Sequence, residues 1–276
     1  MVQHVIVPVD GSDASWRAVD AAVALGRCCD ASVEVVEVVF DQPDVAEAVT
    51  RLADRVGTHD TEGVTITTRV ELAAESVAGA VERLIEQQPD ALVAMASHGR
   101  GRSAALLGSV TEELLQRTFG PILVVGPKVT SPGFAGPIVT TVDGSEASES
   151  VLPLAAAWGI ELGSEPWIVE VADPDVVVAP DVNESAYPAR LARGLSHDSG
   201  HSVQFEVLHG HVVHDEVVSF ADSISASLIV ASTHGRTGMS RFVIGSTAAA
   251  FVRHASCPVL LVRPPHLVAT DREGTT

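Results

Sequence analysis

Positive charge is scarce in this 276-residue chain. Only 17 Lys and Arg stand against 36 Asp and Glu, a formal net charge of −19. Such a surface repels nucleic-acid phosphates and anionic lipid headgroups, so neither nucleic acid nor a membrane is expected as a partner. Cysteine is nearly missing as well. Cys28 and Cys29 are adjacent, which makes a mutual disulfide awkward, and Cys257 stands alone, so no disulfide framework is expected. No run of about 18 apolar residues occurs, and Met1-Val2-Gln3-His4 enters an apolar stretch without the regions of a signal peptide. The expected location is cytoplasmic. Two nucleotide signatures are lacking too. There is no Gly-x-x-x-x-Gly-Lys-Ser/Thr, and Gly99-Arg100-Gly101 has no third glycine and follows a fourth strand rather than a first. This excludes a P-loop and a standard dinucleotide-binding dehydrogenase.

What is present, at 46% hydrophobic and 19% charged, is a duplicated globular unit. Val9-Asp10-Gly11-Ser12 recurs as Val142-Asp143-Gly144-Ser145, and His98-Gly99-Arg100 with Gly108-Ser109 recurs as His234-Gly235-Arg236 with Gly245-Ser246. The offset is 143 − 10 = 133 at the aspartates and 258 − 121 = 137 at the prolines Pro121 and Pro258. A period this long is a whole domain, and each copy is expected to bury its own core.

Short apolar runs alternate with helical spacing throughout copy one. Val5–Val9, Val33–Val39, Val64–Val70, Ala91–Ala96 and Pro121–Val125 read as strands. Helices are expected after Ser12 as N-cap, over Val45–Val56, along the stripe Val77, Val81, Leu84 and Ile85, and over Ser109–Arg117, where Ser109 and Glu112 are spaced as a capping box. Copy two repeats the order through Ile138–Val142, Trp167–Val171, Val203–Leu208, Leu228–Ala231 and Val259–Val262. The fold class is α/β: two tandem doubly wound domains, each with a five-stranded parallel sheet covered on both faces. The boundaries are 1–129 and 134–265, with Pro127–Gly133 as linker and 266–276 as a flexible tail.

Ligands of open α/β sheets sit beyond the carboxyl ends of the strands, where the strand order reverses. Asp10 and Asp143 end first strands, Gly99 and Gly235 follow fourth strands, and Gly108-Ser109 and Gly245-Ser246 open the next helices. A glycine and serine at a helix start offer backbone N–H groups, a hydroxyl and the positive end of the helix dipole, which together make an anion site. Arg100, Arg102, Arg236 and Arg241 add local positive charge. A phosphate chain fits, with the aspartate left for a sugar or base. The same Asp-Gly-Ser is also an ordinary turn and helix cap, so a purely structural role stays open.

This layout resembles the universal stress protein family across both copies, about residues 3–126 and 136–264. The resemblance rests on the family motif Gly-x-x-Gly, nine residues, then Gly-Ser or Gly-Thr. Mapped onto this chain, copy two gives Ser232-Thr233-His234-Gly235, nine residues, then Gly245-Ser246, and copy one gives Ala96-Ser97-His98-Gly99, one residue fewer at eight, then Gly108-Ser109. It implies an adenine-nucleotide alpha-hydrolase-like fold and a cytoplasmic stress-response protein holding ATP or another adenine nucleotide, with Mg, as a regulatory ligand. By the same resemblance Asp10 and Asp143 meet the adenosine, the backbones of Val38 and Val171 meet adenine, and Gly99, Gly108, Ser109, Gly235, Gly245 and Ser246 hold phosphates. The first motif glycine is Ala96 in one copy and Ser232 in the other, placing a Cβ where the backbone approaches phosphate. The shorter loop ranks copy one behind copy two, although Pro8-Val9-Asp10 matches the family ending better than Thr141-Val142-Asp143.

No catalytic set emerges: His98 and His234 stand beside the phosphate loops without a base, metal cluster or nucleophile at a telling spacing, so no catalytic residue is assigned. His209, His211 and His214 read as a solvated polar loop and no metal site is expected, although strand alternation would put His209 and His211 on one side. The alternatives to a nucleotide-binding regulator are a weak ATPase or nucleotidyl transferase of related fold and a nucleotide-free interaction module. The final strands, apolar on both faces, are expected to pack the copies into a pseudo-dimer, and two chains to associate as a homodimer.

Overall fold

The computed structural model describes residues 2–99, 107–118, 120–176, 183–234 and 244–264. In the first domain β1 (His4–Val9), α1 (Asp13–Cys29), β2 (Ser32–Val39), α2 (Asp44–Val56) and β3 (Ile66–Leu72) are followed by α3 (Val77–Gln87), β4 (Leu92–Ala96), α4 (Ser109–Arg117) and β5 (Ile122–Val125). The second contains β6 (Ile138–Val142), α5 (Glu146–Glu149), α6 (Leu152–Leu162), β7 (Pro166–Ala172), α7 (Ala186–Ser199) and β8 (Gln204–His209). It closes with α8 (Val213–Ser223), β9 (Leu228–Ser232), α9 (Ser246–His254) and β10 (Val259–Val262). The expected alternation is therefore present. It departs in one place, where the helix after β6 is interrupted at Ser150 and Val151 and resumes with Pro153 in its first turn.

Each domain has the strand order 3-2-1-4-5, so the order reverses between its first and fourth strands. Every pairing within a domain is parallel. The closing strands meet antiparallel, with Val124 opposite Val259 and Ile122 opposite Leu261, and fuse the domains into one ten-stranded sheet. The closing strands read as apolar on both faces because they are interior strands of this fused sheet.

The expectation that each copy buries its own core holds for two small clusters, one in each domain, but not for the larger ones. The two large apolar clusters are divided by sheet face and run across the seam. One holds Val5, Val7, Trp16 and Leu123 of the first domain together with Leu228, Val230 and Leu260 of the second. The other holds Val93, Met95, Ile122 and Val124 with Ile229, Val259, Leu261 and Phe251. Strand alternation produces this, since successive residues of β5 and β10 point to opposite faces. The segment taken as a linker is also packed, with Val129 and the following Phe134 buried in the first cluster. The tail 266–276 lies outside the described residues.

Candidate functional site

At the end of β1, Gly11 has φ +79°, a left-handed conformation that L side chains rarely adopt, and Gly144 at the end of β6 has φ +80°. The turn folds each aspartate back over the helix start. Ser12 donates its N–H (2.9 Å) and hydroxyl (2.6 Å) to Asp10 Oδ1, and Ser145 does the same to Asp143 Oδ1 at 3.0 and 2.5 Å. Ser12 and Ser145 cap α1 and α5 by accepting the Ser15 and Ser148 N–H groups at 3.2 Å. Ser15 and Ser148, which the sequence reading missed, accept the aspartate N–H groups and donate to the Ser12 and Ser145 carbonyls. The signal for them was the shared pattern Asp-Gly-Ser-x-Ala-Ser.

Across the switch point, β4 runs into Ser97-His98-Gly99. Gly99 lies so close to Asp10 that a Cβ there would overlap Asp10 Oδ2. The Ser97 hydroxyl and His98 Nδ1 pair at 2.9 Å, matched by Thr233 and His234 at 2.9 Å. Burial, then nearby Arg17, push the His98 imidazole below its ordinary value, against the opposing pull of Asp10.

Two expectations about the helix starts are corrected. Ser109 and Glu112 do not form a capping box. Gly108 itself is the extended N-cap, its carbonyl takes the Glu112 N–H at 2.9 Å, and Ser109 already lies inside the helix. The glycine N–H groups are not available either, since Gly108 donates to Ser97 O at 2.6 Å and Gly245 to Thr233 O at 2.8 Å. These bonds pin the base of each loop. What faces the ligand side is the first turn proper: the N–H groups of Ser109, Val110 and Thr111, and of Ser246, Thr247 and Ala248, which have no helical acceptor. A glycine has no side chain to cap them, so the helix dipole reaches each cleft.

The first cleft has a volume of about 420 Å³ and brings together Asp10, Val38, Gly99, Gly108 and Ser109. Phe40, Val77, His98 and Thr111 complete much of its wall. The second, about 260 Å³, brings together Asp143, Gly245 and Ser246 with Ser148, Thr233 and His234. Val171 is not among its described lining residues. Gly235, Arg236 and Arg241, like Arg100 and Arg102, lie outside the described residues. Tyr187 of α7 is a further unforeseen contributor: its hydroxyl accepts the Gly144 N–H at 3.1 Å and donates to Glu149 at 3.0 Å, and burial raises its pKa.

The histidine loop does not form a pair. His209 meets Glu184 at 3.0 Å, while His211 lies 3.4 Å from Asp173 and 3.9 Å from Asp175, all exposed. The Cys29 and Cys257 thiols are each pushed up to about 12, chiefly by burial, which disfavours the nucleophilic thiolate near neutral pH.

The chain matches the model of the universal stress protein family twice, over residues 1–126 and 135–263. A universal stress protein of Mycolicibacterium smegmatis is 28% identical over 273 residues, covering 95% of this chain and 86% of that one. A functionally unknown protein, PA1789, of Pseudomonas aeruginosa shares the fold at a TM-score of 0.70, with 17% identity and coverage of 99% and 96% of the two chains. A putative universal stress protein from another strain of that species gives 0.68, with 16% identity and coverage of 99% and 97%. With both copies matched, a continuous ten-stranded sheet and a cleft at each switch point, this chain belongs to the universal stress protein family as a tandem two-domain member.

Proposed function

We propose that this chain is a cytoplasmic stress-response protein that binds ATP or another adenine nucleotide as a regulatory ligand, and that the cleft of the first domain is its principal site. The observation that carries this reading is the facing pair in each cleft: an aspartate ending the first strand, and a helix N-terminus begun at a glycine. Phosphates would lie on the Ser109–Thr111 N–H groups and the Ser109 hydroxyl, with magnesium carried on the phosphates. Asp10 would face the sugar, and the base would lie against the backbone of Val38 with Phe40 at the mouth. A volume of about 420 Å³ falls inside the range of roughly 300–1,000 Å³ usual for small-molecule sites, whereas about 260 Å³ falls below it. Lining and volume support the first cleft, against the order that loop length suggested. Occupancy would act as a regulatory signal by favouring the ligand-bound conformation, with no chemical step required.

The test begins by denaturing protein purified without added nucleotide and identifying what is released, followed by ATP calorimetry on the emptied chain. The expected result is micromolar binding, about −8 kcal/mol, abolished at the principal site by Gly108→Asp, which sets a carboxylate at the helix start. Gly245→Asp should leave that site intact. No released nucleotide and no heat at millimolar ATP would overturn the reading and leave an interaction module.

A further inference from the structure

We propose that Arg263 is a positioning residue shared by both clefts, a strut through which the second domain sets the first domain's anion-binding helix. β10 ends at Val262, whose carbonyl accepts the N–H of Thr233, a residue lining the second cleft, at 2.9 Å. The next residue, Arg263, is only 7% exposed, and its Nη1 donates across the seam to the Gln116 carbonyl at 2.7 Å. Gln116 lies in the last turn of α4, and the first turn of that helix lines the other cleft.

A nine-residue helix is only about 13 Å long and moves as one body, so a shift imposed at its C-terminus reappears at its N-terminus. The guanidinium also complements the negative end of the helix dipole, opposite the end where an anion would sit. The equivalent position in the first domain, 263 − 137 = 126, is a glycine. A Cβ at Gly126 would overlap the Val252 carbonyl of α9, so backbone meets backbone there and the glycine itself offers no side chain to reach across. At this pair of equivalent positions the side-chain strut runs one way, from the second domain into the first cleft.

The strut stands on geometry; only its effect on affinity rests on the nucleotide reading. The full chain is compared with Arg263→Met, which keeps an unbranched stem without donors, and with Arg263→Lys, which restores charge and one donor. Without nucleotide, hydrogen exchange at the amides of α4 and at Thr233 should quicken at least tenfold in Arg263→Met, with partial recovery in Arg263→Lys and no change in β2. Unchanged exchange in α4 in both variants would overturn the strut, whatever ATP does. With ATP, the wild-type isotherm should depart from the sum of the Gly108→Asp and Gly245→Asp isotherms by an affinity change of at least threefold, and Arg263→Met should remove the departure. Simple additivity in wild type would overturn the coupling. Absence of any ATP heat together with faster exchange would retain the strut and remove the nucleotide reading.

Discussion

The two clefts are alike at their floors and unlike at their lips. At the floor, the Asp10-Ser12-Ser15 and Asp143-Ser145-Ser148 networks agree to within about 0.2 Å in each corresponding bond. At the lip, strand register places Leu72 beside Val39 in one domain and His209 beside Ala172 in the other. Phe40, 52% exposed, then follows β2, where Asp173 follows β7. One mouth is apolar. After β7, by contrast, Asp173 and Asp175 pair with His211 in an exposed cluster. The lesson is that repetition marks the part of a site that folding itself requires, because each floor network closes on its own backbone. Ligand preference must be sought where the copies diverge.

The largest effect expected from breaking this near-symmetry is at the seam. Gly126→Val sets a branched side chain against the Val252 carbonyl, and an overpacked core contact costs up to about 3 kcal/mol. Thermal denaturation should register it, and a variant as stable as wild type would mean that the domains separate at little cost. A smaller effect should distinguish the clefts directly. Gly99→Ala forces Asp10 from its place and should weaken ATP binding about tenfold, near 1.4 kcal/mol, with calorimetry of the Gly245→Asp background isolating the first site. Unaltered affinity would remove Asp10 from the site.

Matched substitutions at the floors sharpen the comparison. Ser15→Ala and Ser148→Ala each delete the bonds that tie an aspartate N–H to the following helix, and each should cost about 1 kcal/mol in chemical denaturation. Unequal losses would show that the copies differ below the lip as well. Tyr187→Phe should destabilise by a similar amount and disturb backbone amide resonances around Gly144 only, since no counterpart links α2 to Gly11 among the described residues.

The smallest effect concerns pH. His98 is held below its ordinary pKa, so the folded state binds a proton less readily than the unfolded chain. The stability this gives is present above about pH 6.5 and is lost as pH falls toward the depressed value. His98→Gln should flatten the fall in melting temperature below pH 6.5; a steeper fall would reverse the assignment. His254, whose imidazole is also lowered by burial and by Lys128, His214 and Arg253, should respond in the same direction.

Much of this architecture is legible along the chain. Alternating apolar strands and amphipathic helices announce the parallel domains, and Ser109–Arg117, Ile138–Val142 and Val259–Val262 fall where the pattern places them. The Ser12 cap is equally readable, since a serine after Asp-Gly has a local backbone N–H to accept. The capping box was misread because the spacing of Ser109 and Glu112 is satisfied equally by a helix that starts one residue earlier in its capping, at Gly108. The direction of the Gly108 N–H is set by Ser97, which pattern cannot supply.

The sequence by itself determined the duplication, the order of elements and the residue types at each strand end, because those follow from periodicity and local hydrogen bonding. Only the tertiary structure decided that the cores run through the seam, that Val129 and Phe134 are buried in what reads as a linker, and that Arg263 reaches the opposite domain's helix. These depend on which strands become neighbours. The antiparallel meeting of β5 and β10 brings together residues separated by more than 130 positions, whose local patterns carry no record of each other.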